Sequence, residues 1–289
     1  MPELPEVETV RRGLSELIIG KQILSATSDT PKSFPNTAAD VRQFMIDAKV
    51  TAVRRRAKVL LIDLSSDYSL VIHLKMTGQL VYVDEQARFG AGHPNDSLVN
   101  ALPDKSTRVT MSFNDDSKLF FNDQRKFGWV KLLPTAEIVN LPFMQKVGPE
   151  PLDLHFTAKQ FRERFTRRAR TNIKAAILDQ SVVAGVGNIY ADESLWGAKI
   201  HPKRLVGSIT DAEFELLYTD VRAVMNLSIE KGGSSNRNYV NAEGKRGSYM
   251  DFANVFRREG LPCPRCGTTI EKLRVAGRGT HICPFCQVL

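Results

Sequence analysis

Cysteine is nearly absent from this chain: there are four in 289 residues, and none lies before position 263. A disulfide-stapled secreted scaffold is thereby excluded. Apolar runs are short, none approaching the ~20 residues that cross a bilayer, so a helical membrane protein is excluded as well. The opening Met-Pro-Glu-Leu-Pro-Glu-Val-Glu has neither the basic nor the apolar stretch of a secretory leader or transit peptide. The expectation is a cytoplasmic chain with reduced thiols and no membrane association. Acidic residues are in deficit: 32 Asp+Glu stand against 40 Lys+Arg, for a net charge of +8. That balance favours a polyanionic partner without identifying one. Internal repeats and low-complexity tracts are also missing, and 289 residues leave room for two domains with real cores.

The four cysteines form two CxxC pairs, Cys263-Pro-Arg-Cys266 and Cys283-Pro-Phe-Cys286, with 16 residues between them. This spacing is a zinc signature, because each knuckle offers two thiolates to a tetrahedral ion. Two disulfides are the alternative, and a reducing compartment disfavours them. The intervening segment carries Lys272, Arg274, Arg278 and His281 against Glu271 alone. A zinc-stapled hairpin presenting arginine points to nucleic acid.

Residues 5–19 have the periodicity of an amphipathic helix, with Val7, Val10, Leu14 and Leu17 on one face and Gly20 at its end. Strand-like stretches follow at Val59–Leu64, Leu70–Val83, Arg108–Phe113, Lys118–Asn122 and Gly128–Leu133. Residues 85–106 read as a long polar loop. Four prolines between 134 and 151 mark a linker. Beyond it, Thr157-Ala-Lys-Gln160 and Thr210-Asp-Ala-Glu213 are capping boxes that open helices. Asn172–Gln180 is a further helix, and Asn188 is positioned to cap another, running through Trp196. Residues 232–249 are polar and long for a connection, as functional loops often are.

The N-terminus carries chemistry of its own. Initiator methionine is removed before a small second residue, which would expose Pro2 as a secondary amine. An α-amine titrates near ~8, well below the ~10.4 of lysine, so much of it is neutral at pH 7. Attack on a sugar carbon gives an iminium that stays charged at any pH and acts as an electron sink. Glu3, next along the chain, is placed to move protons. On residue types alone the plainer reading prevails: Pro2 is an ordinary second residue, and Glu3, Glu6 and Glu8 are acids at the positive end of a helix.

Residues 1–14 resemble the start of bacterial formamidopyrimidine-DNA glycosylases, the 8-oxoguanine glycosylase/AP lyases. Arg55-Arg-Ala-Lys58, His73-Leu-Lys-Met76-Thr-Gly78, Arg125-Lys-Phe127-Gly, the Val183–Glu193 stretch around Asn188, and Gly277-Arg-Gly-Thr-His281 resemble further motifs of that family, in order. Leu4 favours this branch over the endonuclease VIII-like enzymes. The resemblance implies an α+β, multidomain protein. Residues 1–134 would form an antiparallel β-sandwich with one N-terminal helix, followed by a linker at 135–151. A helix–two-turn–helix domain with a lesion-recognition loop would occupy 152–250, and a four-cysteine zinc-finger hairpin 251–289.

It also implies a monomeric base-flipping repair enzyme that acts on double-stranded DNA containing oxidised purines. Pro2 would attack C1′ and expel the base, with Glu3 as proton donor. Lys58 and Arg278 would serve β,δ-elimination. Met76, Arg125 and Phe127 would fill the gap left by the flipped base. His73, Arg108, Arg170, Lys174, Asn188 and Lys272 fall at DNA-contacting positions, and Ser234, Ser235, Arg237, Asn238 and Tyr239 at lesion-recognition positions. One structural Zn²⁺ would be held by Cys263, Cys266, Cys283 and Cys286.

Three positions depart from the family pattern. Gln124 stands where proline is usual. Ser106 stands where histidine is common, with Arg108 two residues on as a substitute contact. Phe256 lacks the hydroxyl of the usual tyrosine. Two other functions compete: an endonuclease VIII-like oxidised-pyrimidine glycosylase, and a non-enzymatic damage-binding relative.

Overall fold

Helix α1 spans Leu4–Ile18 in a computed structural model that describes residues 1–234 and 249–289. Val7, Val10, Leu14 and Ile18 are buried along one stripe, which gives the helix its reason to dock on a sheet. The Glu3 N–H, left over at the helix start, donates to the Glu6 carboxylate at 2.7 Å.

Among the described residues nine strands follow in the same unit: β1 (Ile23–Ser28), β2 (Val50–Arg56), β3 (Val59–Leu64), β4 (Tyr68–His73), β5 (Gly78–Val83), β6 (Arg88–Gly92), β7 (Thr107–Phe113), β8 (Lys118–Asp123) and β9 (Trp129–Pro134). A short helix, α2 (Ala38–Asp40), continued by a π-helical stretch at Val41–Met45, lies between β1 and β2. The strands make two antiparallel sheets, ordered β1-β7-β8-β5-β6 and β2-β3-β4-β9. One core joins them: Leu60, Ile62, Leu70 and Ile72 from the smaller sheet meet Leu80, Tyr82, Val109, Met111 and Phe121 from the larger, with Val10 and Leu14 of α1. The other face of β3 is covered too, because Val59, Leu61 and Val71 pack with Ile138 and Trp129. A strand buried on both sides reads as the continuous apolar run seen at Val59–Leu64.

The β-sandwich expectation holds, with three corrections. Leu70–Val83 is two strands in different sheets. The chain turns at 74–77, where Lys75 is left-handed at φ 52 and the Gly78 N–H donates to Leu74 O at 2.8 Å. Apolar alternation runs through the turn because both sheets face one core. The polar stretch 85–106 is not all loop: it contains β6, whose Phe89 and Ala91 are buried while the strand pairs with β5. Strands β1 and β2 were not anticipated; β2 hides behind its Arg54-Arg55-Arg56 run.

The chain divides into two compact units. The first is Met1–Gln145 with the segment that begins at Lys231, and the second is Lys146–Glu230 with Tyr249–Leu289. Short helix α3 (Pro142–Lys146) lies at the boundary. The second unit contains α4 (Ala158–Phe165), α5 (Ile173–Leu178), α6 (Asn188–Gly197), α7 (Asp211–Glu230) and the hairpin β10 (Glu271–Val275)–β11 (Arg278–Ile282). Thr157 and Gln160 close the expected capping box, and Asn172 caps α5. At α6 the cap is Gly187; Asn188 is the first helical residue, not the cap. Among the described residues no helix is long and apolar enough to cross a membrane.

Candidate active site and nucleic-acid interface

In the first unit the sheet register gathers most of the expected residues at one end of the sandwich. Ala57-Lys58 is the two-residue turn between β2 and β3, with Ala57 left-handed at φ 53. Val59 pairs with His73, and His73 pairs with Trp129. Lys58, His73, the 74–77 turn carrying Met76 and the 124–128 turn carrying Arg125 and Phe127 therefore share that end. Lys58 is buried, not a solvated strand entry. Its turn is tied to α1 by a relay. Glu8 accepts from Arg55 Nε at 3.1 Å, and Arg55 Nη1 donates to the Ala57 carbonyl at 2.9 Å. Burial pushes the Glu8 carboxyl up, but Arg11, Arg12 and Arg55 outweigh it and hold it below its usual range.

His73 is held as a neutral imidazole. Burial, followed by the charges of Lys75 and Lys58, pulls it down to about 3. Its Nδ1 accepts from the Lys75 N–H at 3.0 Å, so the ring proton belongs on Nε2, a donor suited to a phosphate oxygen. Pro2 and Glu3 are both buried at the positive end of α1. With Met1 attached, the Pro2 nitrogen is an amide and no nucleophile.

Phe127 and Met76, expected to fill the gap left by a flipped base, stand differently from core residues. Phe127 is 43% exposed, with Arg125 stacked over its ring at 4.8 Å and the Lys32 ammonium 5.6 Å from the ring centre. Met76 is half-buried in its turn. Ser234 donates through both its N–H and its hydroxyl to Glu6 Oε1, each at 2.8 Å. The same Glu6 carboxylate receives the Glu3 N–H. Glu6 thus links the N-terminus to the start of the expected lesion loop, a role hidden in the sequence behind an ordinary first-turn acid. Ser235, Arg237, Asn238 and Tyr239 lie outside the described residues.

In the second unit Arg278 opens β11 after Ala276 and Gly277, both left-handed at φ 49 and 74. That pair makes the two-residue turn that suits a hairpin. Arg278 is exposed and makes no ion pair among the described residues. The strand behind it is fixed from α5 and α6. Asn188 Nδ2 donates to Gly279 O at 2.9 Å, Lys174 Nζ donates to Thr280 Oγ1 at 2.7 Å, and the His281 N–H donates to Asp192 Oδ2 at 2.9 Å. Arg170 is exposed, and Lys272 pairs with Glu259 at 3.0 Å.

The four cysteine sulfurs lie within 4.8 Å of one another, and Cys266 Sγ is 3.4 Å from Cys283 and 3.5 Å from Cys286. Tetrahedral zinc with bonds near ~2.3 Å sets sulfurs roughly 3.8 Å apart, so four thiolates at these separations fit it. The cysteines form a structural zinc site. Trp196 Nε1 donates to Cys263 Sγ at 3.4 Å, and Arg265 stacks on the indole at 4.0 Å, tying α6 to the first knuckle.

The formamidopyrimidine-DNA glycosylase N-terminal domain matches residues 1–130, that family's H2TH domain matches 147–239, and a zinc finger found in FPG and IleRS matches 260–288. The chain belongs to the formamidopyrimidine-DNA glycosylase family. The formamidopyrimidine-DNA glycosylase of Pediococcus pentosaceus is 41% identical over 289 residues, covering 100% of both chains. That of Streptococcus mutans is 38% identical over 288 residues, covering 99% of both. Among solved structures, a Lactococcus lactis FPG mutant in complex with Fapy-dG-containing DNA superposes with a TM-score of 0.86 at 35% identity over 99% of each chain. MutM in complex with DNA containing carbocyclic 8-oxo-G gives 0.84 at 36%, again with 99% of each covered.

Two expected DNA contacts are corrected within this glycosylase fold. Lys174 is fully buried and ion-paired to Asp192 at 2.5 Å, so its ammonium serves the interior rather than a phosphate. Arg108 is 5% exposed and is consumed by Asp29, by Asp123 O at 2.9 Å and by Lys105 O at 2.7 Å. Ser106 is buried with Asp104 and Ser97, so Ser106 and Arg108 both work inside the domain. Phe256 is buried and packs T-shaped with the His281 ring, centroids 5.0 Å apart. Acids do much of the positioning: Glu8, which the sequence shows only as a helix-dipole acid, with Asp123, Asp192 and Glu193. Glu193 accepts from the N–H groups of Asn254, Val255 and Phe256 at 2.8–2.9 Å, fixing the entry to the zinc module. Acids embedded among basic motifs were the available signal.

Proposed function

We infer that this chain is a DNA repair glycosylase that excises oxidised purines and then cleaves the strand. Family membership carries the enzyme class, and the structures of relatives bound to Fapy-dG and 8-oxo-G DNA support the substrate class. The observation that carries the residue roles is the pairing of Pro2 and Glu3 at the positive end of α1 with the Lys58 turn tied to the same helix through Glu8 and Arg55.

Once Met1 is removed, the Pro2 nitrogen gives its lone pair to C1′ and the glycosidic bond breaks. The base leaves with the electrons of that glycosidic bond and takes a proton from Glu3, which recovers one from the Pro2 nitrogen. Glu3 passes this proton to O4′ as the C1′–O4′ bond breaks and the sugar opens, and the nitrogen lone pair forms the C1′=N iminium that acidifies the C2′ hydrogens. Loss of one expels the 3′ phosphate, and a further elimination expels the 5′ phosphate. Lys58 and Arg278 serve these steps by meeting phosphate charge. His73 offers a neutral N–H donor, and Met76, Arg125 and Phe127 fill the vacated stack. Arg170, Asn188 and Lys272 contact the duplex backbone. The protein works as a cytoplasmic monomer on double-stranded DNA.

The test is borohydride trapping on 8-oxoguanine:cytosine duplex, with thymine-glycol duplex in parallel. The expected result is a covalent adduct on the first substrate that disappears when one residue is added ahead of Pro2, with zinc content and DNA binding unchanged. An adduct formed at the normal rate by the extended protein would move the nucleophile to a lysine, with Lys58 first in line. Preference for thymine glycol would favour the oxidised-pyrimidine branch.

A further inference from the structure

Asp123 ends β8 directly across from Gly78, the first residue of β5, and its carboxylate is fully buried. Oδ2 accepts from the N–H groups of Phe127 at 2.8 Å and Gly128 at 2.6 Å. Oδ1 accepts from the Thr77 hydroxyl and from the Arg125 N–H at 3.2 Å, and the same N–H reaches Thr77 Oγ1 at 3.1 Å. One carboxylate therefore joins two turns that leave different strands: 74–77, which bears Met76, and 124–127, which bears Arg125 and Phe127.

Neither turn is at rest by itself. Each contains a left-handed lysine, Lys75 at φ 52 and Lys126 at φ 55, a conformation that crowds the Cβ of any residue but glycine. Gln124, where a proline would fix φ, leaves the second turn without that restraint. Phe127 also stands 43% exposed, against the pull of burial. Close packing completes the clamp. A Cβ on Gly128 would lie 2.9 Å from His73 O and 3.1 Å from Asp123 Oδ2, which only glycine avoids.

We propose that Asp123 is the positioning residue for the gap-filling set, holding Met76, Arg125 and Phe127 outward as one unit through Thr77 and three backbone N–H groups. It touches no DNA. The proposal rests on the reading that these three side chains occupy the vacated stack. Charge and geometry both matter, because the single carbonyl oxygen of Asp123→Asn cannot accept from both turns: its NH2 must face either the Phe127 and Gly128 N–H groups or the Arg125 N–H.

The experiment is a mutant cycle on single-turnover excision from 8-oxoguanine:cytosine duplex. One arm is Asp123→Asn, the other the triple variant Met76→Ala, Arg125→Ala, Phe127→Ala, and the corner combines all four. Misplacement of reacting groups by about 1 Å can lower a rate roughly 100-fold, and we expect Asp123→Asn alone to lose ~10- to 100-fold. In the triple background it should lose nothing further. Thr77→Val, which removes only the hydroxyl between the turns, should lose several-fold and follow the same cycle; it also serves if Asp123→Asn fails to fold. Normal excision by folded Asp123→Asn and Thr77→Val beside an impaired triple variant would overturn the proposal, as would a full further loss in the triple background. Normal excision by the triple variant would instead overturn the gap-filling reading on which it rests.

Discussion

In the β-sandwich unit, Lys58, Met76 and Phe127 each follow a left-handed residue, and each turn is aimed by acid side chains, Glu8 through Arg55 in one case and Asp123 in the others. In the second unit Arg278 also follows left-handed residues, Ala276 and Gly277. Its hairpin, however, is held by a buried Lys174–Asp192 pair and four cysteines. The difference follows from what stands behind each turn. A core drawn from both sheets and α1 backs the first set, so hydrogen bonds need only aim. Behind the hairpin the buried cluster is Val255, Cys263, Ile270 and Cys283, two of which are metal ligands. Where apolar area is scarce, metal and buried charge replace it.

Zinc removal tests this comparison most severely. Structural zinc contributes on the order of 10–16 kcal/mol in isolated fingers, so Cys266→Ser should lose the metal, melt the hairpin and abolish DNA binding. The β-sandwich should keep its own transition by calorimetry. Joint collapse of both units in one transition would break the contrast.

A smaller effect is expected from the buried pair. Asp192→Ala strands the Lys174 ammonium and removes the acceptor of the His281 N–H; leaving one buried charge uncompensated costs about 3–5 kcal/mol. Denaturant unfolding should show that loss in the second unit alone. Replacing both partners, Lys174→Met with Asp192→Leu, should restore much of it. If the single variants are as stable as the parent, the pair is not what holds the hairpin.

The smallest expected effect sharpens the first unit. The folded imidazole of His73 resists protonation down to about 3, against 6.5 for the ordinary group. As pH falls below about 6.5 the unfolded chain takes up a proton that the folded chain refuses, so stability declines through that window. His73→Gln should flatten the decline in urea midpoints between about pH 6.5 and pH 4 while leaving neutral stability nearly unchanged. An unaltered acid limb would mean that His73 is solvated.

Local pattern made some of this legible in advance. The CxxC spacing, the capping boxes at Thr157 and Thr210, the apolar stripe of α1 and the double-sided run of β3 are all decided by neighbours in sequence. Other features were not. Lys174 and Arg108 look like phosphate contacts because a basic residue in a DNA-binding chain reads as one; only packing reveals that Asp192 and Asp29 face them. Strand β6 is weak by composition and exists because β5 offers it a ladder. The turn at 74–77 is masked because residues on either side of it point into one core.

The sequence by itself therefore determined the metal ligands, the capping boxes at Thr157 and Thr210 and the family, since each depends on residue type at short spacing. The tertiary structure decided which charges face inward, where a single apolar alternation breaks into two sheets, and how Asp123 gathers two distant turns. Those outcomes depend on desolvation and on contacts across tens of residues, where side-chain chemistry alone does not say which partner will be met.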